Sequence, residues 1–268
     1  MLELEHGFRV VDVHVQLDPD EQRRPQGSGD PESIEREMHQ AGIIGGLVVS
    51  GPREGSYLKA NNGVARMSVG RPFDALARLD GALDPGEGAG ARLRNLTASR
   101  GESHTSPVDV EQYAYDDRFE GFKLHPPIDG LPDAEVLEQL EDADLPVITH
   151  GGWRFPPERI EATLLAYDFP LVISHFGGHP LQADRMNEAI DLLTRHDACY
   201  LDTAMVWYRD PLERAIMEHP DRVLFGSGAP FTHPNVAIME ILTLNVPEDA
   251  MRKVFTKNPA RVFEELAP

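Results

Sequence analysis

The chain carries a single cysteine, Cys199, among 268 residues. One thiol cannot close an internal disulfide and cannot build a cysteine zinc cluster, which fits a reducing cytoplasm. No uninterrupted apolar run reaches the roughly eighteen residues a membrane-crossing helix needs. The opening "MLELEHGFRV" has neither a basic start nor a long apolar core, so it does not read as a secretory signal. Positive charge is scarce, with 25 Lys and Arg against 45 Asp and Glu and a net charge of −20. The only lysines are Lys59, Lys123, Lys253 and Lys257. A chain this acidic repels phosphate backbones, which argues against nucleic acid as a partner. Its acidic, lysine-poor composition is similar to that of proteins from salt-loving microbes, where high ionic strength screens self-repulsion. Also missing are an internal repeat, a low-complexity tract, an interdomain linker, and a glycine-rich phosphate turn after the first apolar run.

What is present is an alternation. Strand-like runs occur at "FRVVDVHVQ", "GIIGGLVVSG", "FDALARLDGAL", "FEGFKLHP", "LPVITHGG", "PLVISHFGG", "CYLDTA" and "RVLFGSG". Between most of them lie stretches of helical length. "DPESIEREMHQAG" offers Asp30 as N-cap, Pro31 at the first helical position and Gly42 just past the end. "DAEVLEQLEDA" spaces Val136, Leu137 and Leu140 along one helical face. Asn258-Pro259 reads as the N-cap and first residue of the last helix. Eight strand-helix units in a chain close to ~250 residues predict one closed (β/α)₈ barrel, an α/β TIM barrel that fills residues 1–268 as one domain. A doubly wound open sheet competes, but the missing phosphate turn disfavours it. Two stretches read as long loops, "LDPDEQRRPQGSGDPES" and "ASRGESHTSPVDVEQYAYDD", a length often used for lids or substrate contacts.

In such a barrel, chemistry sits at the C-terminal strand ends. Those ends here carry His14 and Gln16, Ser50, Asp80, Lys123 and His125, His150, His175, Asp202, and Ser227 with Gly228. Strict alternation sets Val11, Val13 and Val15 on one face of the first strand and Asp12, His14 and Gln16 on the other. One histidine at a strand end is ordinarily a satisfied structural residue. Four or five in the same position are costly to bury unless they bind something or one another. His179 follows the sixth strand and lies near the mouth, whereas His6, His39, His196 and His219 fall in loops or on helix surfaces. Cys199 reads as a buried small hydrophobe.

The ordered set "DVHVQL", "GFKLHP", "PVITHGG", "ISHFGG", "LDTA", "LFGSGAP" and "NPARVF" resembles the amidohydrolase superfamily. It is most similar to the amidohydrolase-related branch, which includes decarboxylases of aromatic and unsaturated carboxylic acids and lactone hydrolases. The resemblance runs from Val11 to Phe263. It implies a His-x-His pair on strand 1, histidines on strands 5 and 6, and an Asp on strand 8 as metal ligands. His14, His150 and His175 match. Gln16 replaces the second strand-1 histidine, and Gly228 replaces the aspartate, which in the family doubles as ligand and proton acceptor.

Three readings follow. In the first, a divalent ion, zinc or manganese, is held by His14, His150 and Gln16, with His175 as a further ligand, and polarises a carbonyl or activates water. In the second, a metal-free hydrolase of a lactone, ester or amide uses His175 or His150 as general base, with Lys123 stabilising developing charge and Asp202 orienting a histidine or water. In the third, a barrel that has lost its chemistry binds a ligand or partner. Lys123 also resembles the carbamylated lysine of binuclear members, against the plainer expectation of a lysine paired with Asp80 or Asp202. Around the mouth, His125, Trp153, Arg154 and Arg209 are expected substrate contacts, and Trp207, Tyr208, Phe231 and His233 lie near them. Aromatic walls with an arginine suit a small carboxylated substrate. The leading expectation is hydrolysis of a small organic acid derivative, with decarboxylation second. Family members often form homodimers. Restoring the ligands through Gln16→His with Gly228→Asp is expected to raise zinc affinity.

Overall fold

A computed structural model describes residues 6–24, 29–53 and 55–266. Eight parallel strands run in chain order around one sheet: β1 Val10–Gln16, β2 Ile43–Val49, β3 Phe73–Leu79, β4 Phe119–Leu124, β5 Val147–Gly152, β6 Leu171–His179, β7 Cys199–Asp202 and β8 Val223–Leu224. The seam between β8 and β1 closes through Val13 N–H to Phe225 O at 2.9 Å, Gly228 N–H to His14 O at 3.0 Å and Gln16 N–H to Ala229 O at 2.8 Å. The expected (β/α)₈ barrel is therefore the observed fold. No helix among the described residues is long and apolar enough to cross a membrane.

The local signals act as their chemistry requires. Asp30 caps the helix Pro31–Gln40 by accepting from Ser33 N–H at 2.9 Å, and Gly42 beyond it sits at φ +73. Val136, Leu137 and Leu140 are buried on one face of Ala134–Ala143. Asn258 departs from its expected role. It is itself helical, with φ −73 and ψ −47, because the preceding turn Lys253–Lys257 runs straight into Asn258–Val262. Its Nδ2 donates instead to Pro220 O at 2.9 Å and Val223 O at 2.7 Å, pinning the start of β8. The second expected loop contains the helix Pro107–Ala114, started by a reciprocal Ser106–Asp109 capping box. In the first, residues 25–28 lie outside the described residues, and the rest carries a short turn, Glu21–Arg23.

The first strand does not alternate strictly. Val11 and Val13 pack with Leu47, Leu76, Ile148, Val172 and Leu224 in the barrel interior. Val10, Val15 and Leu17 pack with helix residues such as Ile34 and Met38. The β1–β2 register slips between Asp12 and Val15. A bulge reverses which side each later residue faces. So interior Val11 and Val13 are followed by His14 and Gln16 at the mouth, and Asp12 is parted from both. Asp12 is fully buried at the β1–β8 seam, where its Oδ1 accepts from His14 N–H at 3.0 Å and Ser227 N–H at 2.9 Å.

Candidate active site

A cavity of about 290 Å³ opens at the C-terminal ends of the strands. Five histidines line it: His14, His125, His150, His175 and His179. Their rings form one cluster. His125 stacks on His150 at 4.1 Å between centroids, and His175 lies 5.0 Å from His14, 5.1 Å from His150 and 4.8 Å from His179. The strand-end pattern predicted this convergence. His179 joins the cluster because β6 runs on through "GGH" to end at it rather than stopping at His175.

Two of the rings are oriented from behind. His14 Nδ1 donates to Asp202 Oδ2 at 2.8 Å. His175 Nδ1 donates to Ala204 O at 2.7 Å. Both bonds leave Nε2 of each ring as an acceptor on the cavity side, since a neutral imidazole that donates at one nitrogen accepts at the other. Asp202 does not line the cavity. It is fully buried behind His14, and its Oδ1 accepts the N–H groups of His175 at 2.9 Å and Ala204 at 3.1 Å. His175 and Phe176 hold φ of +59 and +50, a left-handed pair within β6.

Charges follow from burial. Desolvation lowers His14 and Lys123 adds to that, while Asp202 pulls it back up. Desolvation, joined by neighbouring histidines, holds His150 and His175 well below the ordinary imidazole value, and desolvation, joined by the charges of Arg78 and Lys123, lowers His125 to about 3. Burial works to raise the Asp202 carboxyl, but attraction to the imidazolium form of His14 and the hydrogen bond from His14, joined by His175 and Lys123, outweigh it and hold the group below the usual carboxylate range. At neutral pH the pair is thus an ionised Asp202 holding a neutral His14. Lys123, 5% exposed, is lowered to about 8 by burial, with Asp202 opposing. Its Nζ donates to Ser174 Oγ at 2.9 Å and makes no direct ion pair with Asp80 or Asp202.

The remaining expected contacts fall elsewhere. Asp80 turns away to accept from Thr105 N–H and Oγ1, both at 2.8 Å. Trp153 and Arg154 line a neighbouring cavity rather than the histidine pocket. Arg209 pairs with Glu213 at 2.7 Å and lines a third, separate hollow, so it is not beside the cluster. Gln16 does line the histidine cavity. Two residues that sequence reasoning passed over also line it, Arg78 and Met205. Arg78 is 3% exposed and held by Asp129 Oδ2 at 2.9 Å from Nε, by Ser50 O at 2.9 Å from Nη1, and over the Tyr57 ring at 5.2 Å. A signal was available: an arginine in the middle of the apolar run "ALARL" must be paired if it is buried.

The donor set does not fit the metal that the superfamily resemblance implies. Among the described residues no group of three or more His, Cys, Asp and Glu side chains is placed to hold a metal ion. Asp202, the carboxylate behind the cluster, is saturated by His14 and two backbone N–H groups. At position 228 the backbone is left-handed (φ +74), and a Cβ would meet Met205 Cγ at 2.9 Å. The volume a strand-8 side chain would need is therefore filled by Met205, which itself sits at φ +56.

A closed parallel barrel with a histidine cluster at its mouth and a carboxylate behind it defines a (β/α)₈ barrel protein whose candidate site lies at the C-terminal strand ends. More particularly, the family described as Amidohydrolase matches residues 11–264, and the chain belongs to it. No curated protein matches the sequence. Solved structures that share the fold include these three. An uncharacterised TIM-barrel protein from Bordetella bronchiseptica is 22% identical, with 97% of this chain and 99% of that one covered and a TM-score of 0.70. The 5-carboxyvanillate decarboxylase of Sphingomonas paucimobilis is 16% identical over 96% and 99%, with a TM-score of 0.66. A probable 2-pyrone-4,6-dicarboxylic acid hydrolase from Acinetobacter baumannii, solved with citric acid bound, is 14% identical over 96% and 100%, with a TM-score of 0.60.

Proposed function

We propose that this amidohydrolase-family chain is a hydrolase of a small organic acid derivative, a lactone, ester or amide, and that it works by general acid–base catalysis. The observation that carries this reading is the 2.8 Å bond from His14 Nδ1 to the buried Asp202. A carboxylate behind an imidazole fixes its tautomer and stabilises the imidazolium that forms when Nε2 takes a proton. His14, expected from the resemblance as a metal ligand, is thus the better base. His175 has only a carbonyl behind it, so it gains basicity less.

His14 and His175 line one cavity with ring centroids 5.0 Å apart, so a water between them would find an Nε2 acceptor on each ring. His14 takes the proton as the water oxygen bonds to the substrate carbonyl carbon. Negative charge then develops on the carbonyl oxygen, and the Lys123 ammonium lies in the same cavity to stabilise it. Collapse breaks the bond to the leaving group, and His14 returns its proton there. Water is consumed, and a carboxylic acid and an alcohol or amine are released. No step passes through a metal.

The test is a panel of aryl acetates, five- and six-membered lactones and aromatic carboxylic acids, assayed at high and low salt with and without chelator. Hydrolysis that survives chelator and disappears in His14→Gln supports the reading. Release of carbon dioxide without ester cleavage selects decarboxylation instead. Binding without turnover of any of them selects the ligand-binding barrel, the reading that the altered positions Gln16 and Gly228 favour. Loss of all turnover on chelation, with recovery on adding zinc or manganese, restores the metal reading.

A further inference from the structure

We propose that the cavity beside the histidine pocket is a second subsite that binds a remote carboxylate of the substrate, with Arg154 as its cation and Trp153 as its apolar wall. The proposal rests on the hydrolase reading and adds the substrate class: an ester or lactone carrying a free carboxylate away from the bond that breaks.

The two cavities are contiguous. The second has a volume of about 580 Å³ and shares Ile128 with the first, and Pro126 and Pro127, directly after His125, form its near wall. A ligand that binds in both must pass Ile128, the residue common to the two walls.

The second cavity is built on rigid backbone. Two loops cross at Gly81 and Gly130, where a Cβ on Gly130 would lie 2.0 Å from Gly81 O. Only glycine allows that approach. The crossing is tied by Gly81 N–H to Asp129 O at 2.9 Å and by a reciprocal pair, Leu83 N–H to Leu131 O at 3.0 Å and Leu131 N–H to Leu83 O at 2.8 Å. Arg159 Nε clamps the far side by donating to Pro85 O at 2.9 Å. The same Asp129 holds Arg78 in the histidine pocket, so one segment fixes both cavities.

Arg154 is the spare charge in this wall. It is exposed and makes no hydrogen bond or ion-pair contact among the described residues, and its charge acts on Asp84 only through space, in a chain of net charge −20. The acid nearest at hand is Asp84, and it is already satisfied: it accepts from Gly86 N–H at 2.8 Å and from Arg94 Nε at 2.9 Å. An arginine left unpaired among so many carboxylates has its planar fork free for an incoming one. Beside it the Trp153 indole is 62% exposed, while its backbone N–H is fixed to His179 O at 3.0 Å. Trp and Arg are among the residue types enriched where binding energy concentrates.

The experiment compares monophenyl esters of dicarboxylic acids, succinate through pimelate, with phenyl esters of the matching monocarboxylic acids. In the wild-type protein at least one monophenyl ester is preferred by kcat/KM over its uncharged partner. Arg154→Gln lowers that preference at least about tenfold, mainly through KM, whereas Arg92→Gln, on a nearby exposed helix, leaves it in place. A preference equal in wild type and Arg154→Gln overturns the subsite. Should neither ester class be cleaved, the hydrolase reading fails, and the subsite is then decided by calorimetry with free adipate and pimelate. Binding at least about tenfold weaker in Arg154→Gln upholds it; equal binding, or none to the wild type, overturns it.

Discussion

His14 Nδ1 and Asp202 Oδ2 stand 2.8 Å apart, although 188 positions separate them in the chain. The pair is possible because β1 and β7 bring their ends to one mouth. Asp202→Asn preserves the shape but offers an amide where the carboxylate stood, so His14 loses its fixed tautomer. A fall in kcat of about 10²–10⁴-fold is expected, the usual range for general acid–base groups. His14→Gln should cost as much, and the double variant little more, since the two act as a unit. Steady-state kinetics on the three variants decides this; multiplicative losses would show that they work independently.

The pH profile of kcat/KM should be displaced from an ordinary histidine's. Burial lowers His14, so the neutral base persists below the usual 6.5, and the acid limb is expected under that value. Lys123 is lowered to about 8, so charge stabilisation fades above it and an alkaline limb appears there. Lys123→Arg should move the alkaline limb upward, because guanidinium keeps its proton. An alkaline limb that stays near 8 in that variant would assign it to another group.

Stability should fall in acid. His14, His125, His150, His175 and His179 all have lowered folded-state values, with His125 at about 3. The unfolded chain binds protons below about 6.5 that the folded chain refuses. The stabilisation is therefore complete above 6.5 and is lost as pH falls below it, with a limiting slope of about 1.4 kcal/mol per pH unit for each histidine. Asp12, raised to about 6, acts in the opposite sense and only partly offsets this between about 4 and 6. Denaturant unfolding at pH 7 and pH 5 measures the difference, and His125→Gln should reduce it. Equal stability at both values would mean that the histidines are not buried neutral.

Rebuilding the metal ligands is expected to fail as a two-site change. Gln16→His with Gly228→Asp places a side chain at φ +74 against Met205 Cγ. Left-handed strain costs about 1–3 kcal/mol, and overpacking a similar amount. Zinc retained after dialysis should match the parent, with a lower melting temperature. One equivalent of zinc in the double variant would show that Met205 moves aside without difficulty.

Asp129→Asn should destabilise the protein by about 3–5 kcal/mol, the cost of leaving a buried guanidinium unpaired. Arg78 and Asp129 are 3% and 1% exposed in their side chains and meet at 2.8 Å. Replacing both with apolar residues should cost less than the single change. Chemical denaturation of the single and double variants measures both, and a near-neutral single substitution would show the pair to be solvated.

The sequence by itself determined the barrel and most of its mouth. Eight apolar runs separated by capped helices can close in few ways, and His14, His125, His150 and His175 each end such a run, so their convergence follows from topology. It also marked Gln16 and Gly228 as altered positions. What each group does was decided by the tertiary structure. The slip in β1 parts Asp12 from His14, and a strict two-residue period does not foresee a bulge set by the partner strand. Asp202 reaches His14 only across the barrel, so no local spacing could show which histidine has a carboxylate behind it. Met205 fills the volume over Gly228, and it is Arg94, not Arg154, that makes the hydrogen bonds to Asp84. Local pattern fixes where a chain can turn and which face is buried, but hydrogen-bond partners and filled volumes depend on atoms far apart in sequence, and those are settled only when the chain is packed.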